Sequence, residues 1–204
     1  EADAITVLSD HMGNRLKETG CPTEKMIKQP LAIDTTAFQF QRRTPPDDGP
    51  VELLTVARLT EKKGVEFAID AVSQLPDSYS VVYRIVGDGP LRETIEKCIR
   101  EAGLEDTVRL LGWQSQDQVQ TLMNNAHIFL LPSVTASNGD QEGTPTVLLE
   151  AQATGLPIVS TTHAGIPEIV KHEETGLLAP ERDIAALSDA IQWLLEHPDQ
   201  WGEM

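Results

Sequence analysis

Residues 126–162, AHIFLLPSVTASNGDQEGTPTVLLEAQATGLPIVSTT, contain a strand, a helix and a second strand in one run. AHIFLLP (126–132) and LPIVSTT (156–162) are short, aliphatic and bounded by turn residues, which is how strands buried on both faces read. Between them Thr144 is placed to cap a helix, Pro145 suits the first helical position and Gly155 suits its end, which predicts a helix over 145–154. Two strands joined through a helix must lie parallel, because a tight hairpin is not available to them.

The same alternation extends in both directions. Further apolar runs occur at 51–57, 80–87 and 107–112, and helical patterns at 65–75, 91–102, 116–125 and 184–196. Five strands alternating with helices predict an α/β fold, a doubly wound parallel sheet. Ahead of it, ADAITVLSD (2–10) reads as a strand, HMGNRLKETG (11–20) as a helix ending at Gly20, and KMIKQPLAID (25–34) as a second apolar segment. FQFQRRTPPDDGP (38–50) then breaks the pattern with paired prolines, charges and Gly49. The expected organisation is the tail of a preceding domain over 1–40, a linker over 41–50 and the Rossmann-like domain over 51–204. A chain opening on Glu1 and stopping soon after a helical pattern reads as an excised piece, truncated at its C-terminus.

Composition limits the partners. The 204 residues carry a net charge of −16, which disfavours nucleic acid and anionic membrane because both require a basic footprint. No apolar run reaches membrane-spanning length and no signal peptide opens the chain, so a cytoplasmic location is expected. Cys21 and Cys98 lie far apart and the five histidines are scattered, a distribution that supports neither a disulfide framework nor a metal site. An anionic ligand must therefore be held by local basic residues and backbone amides.

Ligands of doubly wound sheets bind beyond the carboxyl ends of the strands. Arg58, Lys62 and Lys63 come directly after the first strand, GDGP (87–90) after the second, Gly112 and Trp113 after the third, SVTASNGDQEGTPT (133–146) after the fourth and HAGIPE (163–168) after the fifth. GDGP reads as ordinary strand-to-helix punctuation, with Pro90 at the first helical position. His163 reads as a polar turn residue and Trp113 as an aromatic at the edge of the core. The helix N-terminus after Pro145 is different, since its free N–H groups and partial positive charge make an anion site. Glu150 lies about 6 Å beyond Thr146 on the same face, at about 1.5 Å per residue, and Glu142 precedes the helix. Carboxylate, anion site, carboxylate is the order that a nucleotide sugar requires, with sugar hydroxyls, diphosphate and ribose hydroxyls in sequence.

ARLTEKKG, IVGDGP, LLGW, LPSV, EGTPTVLLEAQATGLPIVSTTHAGIPEIV and ETGLLAP together resemble the nucleotide-binding half of retaining glycosyltransferases of the GT-B fold, glycosyltransferase family four, over residues 51–196. The GDQEGTPTVLLEA variant is similar to bacterial members that assemble exopolysaccharides of the colanic-acid type. The resemblance implies that Arg58 and Lys63 neutralise the donor diphosphate, that Glu142 contacts the donor sugar and that Glu150 binds the ribose. It implies that Gly87, Gly112, Thr144, Thr146 and Val147 also bind substrate. It implies a UDP- or GDP-sugar donor, no metal or other cofactor, and a glycan or lipid-linked acceptor held by a preceding domain, through which any peripheral membrane contact would run. The fragment alone is then inactive. Relatives often carry an aromatic residue and a glycine where this chain has Thr144 and Pro145, and proline removes a backbone donor. A non-catalytic nucleotide-sugar-binding module is the competing class. A GT-B epimerase or phosphorylase is a weaker one.

Overall fold

The computed structural model describes residues 2–204. Its centre is a parallel sheet of six strands, β3 (Val51–Val56), β4 (Val81–Val86), β5 (Val108–Gly112), β6 (Ile128–Leu131), β7 (Ile158–Thr161) and β8 (Gly176–Ala179), arranged β5-β4-β3-β6-β7-β8. Successive residues of a strand face opposite sides of a sheet. Leu53 and Leu54 accordingly enter different hydrophobic clusters, as do Leu130 and Leu131, and Ile158 and Val159. Both sides of the sheet are thus covered, which is why its strands are continuous apolar runs.

One cluster is closed by α2 (Val65–Ser73), α3 (Arg92–Glu101) and α7 (Ile184–Glu196), through side chains such as Ile69, Ile95 and Ile191. The other is closed by α4 (Gln116–Asn125), α5 (Thr146–Ala153) and α6 (Ile166–Ile169), through Met123, Leu148 and Ile166. The sheet has one strand more than the five expected. β8 is only four residues long, GLLA, and is defined by its pairing with β7, Ile158↔Gly176 through Thr161↔Ala179, rather than by a long apolar run.

Ahead of the sheet, β1 (Ile5–Val7) and β2 (Met26–Lys28) form a separate parallel pair joined through α1 (Asp10–Glu18). Ser9 caps α1 by accepting from the Met12 amide at 3.1 Å. The free amides of Asp10 and His11 donate to the Glu168 carboxylate on α6 at 3.0 and 3.1 Å, and Lys28 bridges Glu168 and Asp10. A carboxylate on a helix N-terminus satisfies orphan donors and meets the favourable end of the dipole. It also fastens this small unit against the rim of the sheet domain.

Residues just before β3 are tied to the opposite end of the domain. Arg43 is buried, and its guanidinium donates to the main-chain carbonyls of Met123, Asn124, Ala126 and Thr154 at 2.6–3.1 Å. These carbonyls lie at the C-terminal ends of α4 and α5, where helices leave acceptors unpaired. Burial pushes the Arg43 pKa down to about 10, so the cation persists at neutral pH. Arg43→Met removes the guanidinium from four carbonyls, of which that of Thr154 keeps the Gln41 amide, and a loss of about 3 kcal/mol or more is expected from charged hydrogen bonds of this kind. The measurement is the urea midpoint of unfolding. An unchanged midpoint would mean that the guanidinium contributes nothing to the fold.

Candidate functional site

The strand order reverses direction between β3 and β6, which are neighbours in the sheet. From β3 the chain passes to α2 on one face, and from β6 to α5 on the other, so the loops after these strands part and leave a crevice. The loop after β3 carries Arg58 and a 3-10 turn at Glu61–Lys63. The loop after β6 carries Glu142 and ends at the N-terminus of α5. The two loops are stapled together. The Val134 amide donates to the Lys62 carbonyl at 2.9 Å, Glu61 accepts from the Ser137 amide and hydroxyl at 2.7 Å each, and Lys62 pairs with Asp140 at 3.1 Å.

A cleft of about 470 Å³ lies on one side of the α5 N-terminus, lined by Val56, Arg58, Gly87, Trp113, Val147 and Glu150. Arg58 is exposed and forms no ion pair among the described residues. Gly87 has a φ of +129°, and a Cβ there would overlap the Ala57 carbonyl oxygen, so only glycine lets this turn reach the loop after β3. Gly112 begins the next turn with φ +69° and accepts from the Gly87 amide at 2.8 Å. Trp113 is 76% exposed and lines the cleft, in contrast to the core-edge position expected of it. Its neighbour Gly112 turns the chain away from the sheet, so the indole cannot pack on the core.

A second cleft, about 410 Å³, lies between α1 and Gly139–Gly143 and is lined in part by His11, Arg15, Gln141 and Glu142. The Glu142 side chain is only 8% exposed. Lys63 Nζ sits 3.0 Å from its Oε1, and Lys62 Nζ 4.0 Å. The Lys63 contact is an ion pair without hydrogen-bond geometry, so Oε1 is a buried oxygen that accepts no hydrogen bond from the protein.

Between the clefts, the helix begins one residue later than expected. Pro145 is extended (φ −64°, ψ 111°) and occupies the cap position without a side-chain cap bond, and α5 starts at Thr146. Thr144 is buried and is not the N-cap, because the extended proline separates its hydroxyl from the first helical amides. The amides of Thr146 and Val147 have no acceptor among the described residues. Thr146 is exposed and Val147 half-buried, so these two open donors face the crevice. α3 likewise starts at Arg92 rather than at Pro90, because the Leu91 amide is taken by the Leu59 carbonyl.

His163 is the residue most misjudged by its sequence position. Its side chain is 0% exposed, with Nε2 3.0 Å from the Glu142 amide and Nδ1 2.6 Å from Glu181 Oε1. Burial pushes the Glu181 carboxyl up, but the Thr135 amide, the His163 ring and the Thr135 hydroxyl together pull it below its ordinary value. The available signal is its place at the rim directly after the polar run Ser160–Thr161–Thr162. Among the described residues no three His, Cys, Asp or Glu side chains converge as a metal ion would need, and no helix is long and apolar enough to cross a membrane.

The family profile of glycosyl transferases group 1 matches residues 37–203. The chain belongs to this family. It is 41% identical over 190 residues to a putative colanic acid biosynthesis glycosyltransferase, WcaL, of Escherichia coli, covering 93% of this chain and 47% of that protein. It is 42% identical over 176 residues to the amylovoran biosynthesis glycosyltransferase AmsK of Erwinia amylovora, covering 86% and 43%. The chain thus spans less than half the length of either relative. The crystal structure of HepE from Anabaena in complex with UDP superimposes with a TM-score of 0.83 at 23% identity, covering 99% of this chain and 56% of that one, which establishes the shared GT-B fold.

Glu150 provides a test of the cleft without any ligand. It is half-buried with no ion-pair partner among the described residues, and burial pushes its pKa above the ordinary 4.5. A carboxyl whose folded pKa exceeds its unfolded one destabilises the fold when ionised. The cost is absent below the ordinary value and complete above the raised one. Glu150→Gln should therefore melt at a higher temperature than the parent at pH 8, with the difference vanishing toward pH 4. A variant that melts lower at pH 8 would show that the carboxylate is held by a stabilising partner.

Proposed function

We propose that this chain is the donor-binding half of a retaining glycosyltransferase that takes its sugar from a nucleoside-diphosphate sugar, UDP- or GDP-linked, without a metal ion. The observation that carries the reading is the pair of open amides at Thr146 and Val147, flanked by Glu142 in one cleft and Glu150 in the other, with Arg58 facing them across the crevice. A polyanion has few places to bind on a chain of net charge −16, and this one joins unpaired N–H groups to a side chain that has no carboxylate partner. The complex of HepE with UDP supports a nucleotide in the same fold.

In this reading the diphosphate lies on the α5 amides, the ribose meets Glu150 and the sugar extends toward Glu142. The base then lies near Trp113 and Gly112, and Gly87 allows the close approach of the surrounding loops. As the bond from the sugar to the diphosphate breaks, negative charge grows on the leaving oxygen and positive charge on the ring. Arg58 and Lys63 offset the first, and the Glu142 carboxylate offsets the second and accepts from a sugar hydroxyl. Fixed charges in a water-poor crevice do this without reorganising at the moment of reaction. The acceptor attacks from the face that the diphosphate leaves, and the departing phosphate oxygen takes the acceptor's proton, so configuration is retained. Thr144 lies too deep to act except through its backbone. A glycan or lipid-linked acceptor would be held by a preceding domain, and the names of WcaL and AmsK support a role in polysaccharide assembly.

Calorimetry in the presence of a chelator tests the binding half of this proposal, with UDP, GDP and ADP as probes. At least one should bind. Heat from none of them, with a demonstrably folded sample, overturns the reading.

The full-length protein tests the chemistry. Glu142→Gln should lower kcat by more than about a hundredfold, corresponding to about 3 kcal/mol of transition-state stabilisation, while leaving the affinity for free nucleoside diphosphate nearly unchanged. Normal turnover by this variant would show that a different group stabilises the transition state, whereas a parent that binds nucleotide sugar without any turnover would be a nucleotide-sugar-binding module.

A further inference from the structure

The main-chain N–H of Glu142 has no carbonyl partner. It donates to a side chain, His163 Nε2, at 3.0 Å. An amide can only donate, so Nε2 must be the unprotonated nitrogen and the ring proton resides on Nδ1, from which it is given to Glu181 Oε1 at 2.6 Å. Glu181 in turn accepts from the Thr135 amide at 2.8 Å, and the Thr135 hydroxyl accepts from the Gln141 side chain at 2.9 Å. Arg182 completes the cluster, with its guanidinium 3.6 Å from Glu181 and donating to the Thr135 carbonyl. Thr135 and Glu142 lie near the two ends of the loop between β6 and α5. One histidine–carboxylate pair, built on the loops after β7 and β8, therefore holds both.

The ring is 0% exposed and both nitrogens are engaged, so His163 does not touch a substrate. It governs instead the freedom of Glu142. That carboxylate is drawn by Lys63 at 3.0 Å and stands 4.0 Å from Lys62, and these charges face it from the turn after β3. A loop free to shift would carry the Glu142 carboxylate away from the place that the His163 bond and Lys63 give it. Gly165 shows how tightly the region is built, since a Cβ there would press against the Gly143 carbonyl oxygen and Ser9.

We propose that His163, oriented by Glu181, is a positioning residue for the donor sugar. It fixes the Glu142 backbone, and with it the place from which the Glu142 carboxylate, paired with Lys63, meets the sugar. The inference rests on the reading of Glu142 as the sugar-contacting carboxylate. It predicts an effect confined to sugar transfer, because the α5 amides, Arg58 and Glu150 do not depend on this pair.

Three variants of the full-length protein separate the bonds. Glutamine at 163 places a carbonyl oxygen near the position of Nε2 and keeps the acceptor. Asparagine reaches Glu181 but falls short of the Glu142 amide, and leucine removes both bonds. His163→Asn and His163→Leu should lose about tenfold or more in kcat while binding UDP or GDP within about twofold of the parent, and His163→Gln should stay within about threefold of the parent in kcat. Equal activity of the Asn and Gln variants overturns the proposal, as does a loss that appears equally in nucleotide affinity. Long-range ¹⁵N NMR of the unmutated protein gives a readout independent of folding defects. The proton should reside on Nδ1, and finding it on Nε2 overturns the proposal whatever the variants do. If the parent binds no nucleoside diphosphate, the donor-site reading fails, whereas a parent that binds and transfers with indifferent Asn and Gln variants refutes His163 alone.

Discussion

Backbone meets backbone where the loop after β3 crosses the end of β6. Gly64 has φ +62°, and a Cβ on it would occupy the space of the Pro132 carbonyl oxygen. This approach brings Lys62 and Lys63 beside Asp140 and Glu142, although almost eighty positions separate them in sequence. The sheet supplies the direction of the strands, but the site depends on this contact between two main chains.

The electrostatics of the crevice set three basic residues against the carboxylates of an acidic chain. Lys62 and Lys63 are both held by carboxylates of the facing loop, whereas Arg58 is left open among the described residues. A diphosphate bound as proposed would therefore compete with Asp140 and Glu142 for the lysines but not for the arginine. Ion pairs draw the two loops together, and any ligand that takes one partner redistributes them. Selectivity of this kind favours a ligand with a hydroxyl-bearing group next to its phosphates, because inorganic phosphate offers Glu142 nothing in exchange for Lys63.

Much of this is legible in the sequence because burying both faces of a sheet produces uninterrupted aliphatic runs, and β3 to β7 have them. β8 does not announce itself, since four residues of GLLA carry little periodicity and its identity as a strand comes from β7 alone. Arg58, Lys63, Glu142 and Glu150 can be placed on one rim from strand order. Their partners cannot, because whether Lys63 meets a phosphate or a carboxylate depends on a distance across two loops. Residue type makes Thr144 a cap, and an extended Pro145 moves the helix start past it. His163 and Trp113 exchange characters, the polar residue buried and the apolar one exposed. In both cases a site rather than a core sets the environment, and hydropathy alone carries no record of that.

Arg43 gives the fold a mechanical property. Its guanidinium grips the carbonyl end of α5, and the Thr154 carbonyl at that end also accepts from the Gln41 amide. The opposite end of the same helix carries the open amides of Thr146 and Val147, about 12 Å away at about 1.5 Å per residue. α5 is thus a strut with residues 41–43 bolted to its foot and the proposed phosphate site at its head. A torque applied to residues ahead of Gln41 reaches the site along a single rigid rod, in addition to passing through the contact of α1 with Glu168. The residues ahead of Gln41 thus have a lever on the crevice that does not require them to line it.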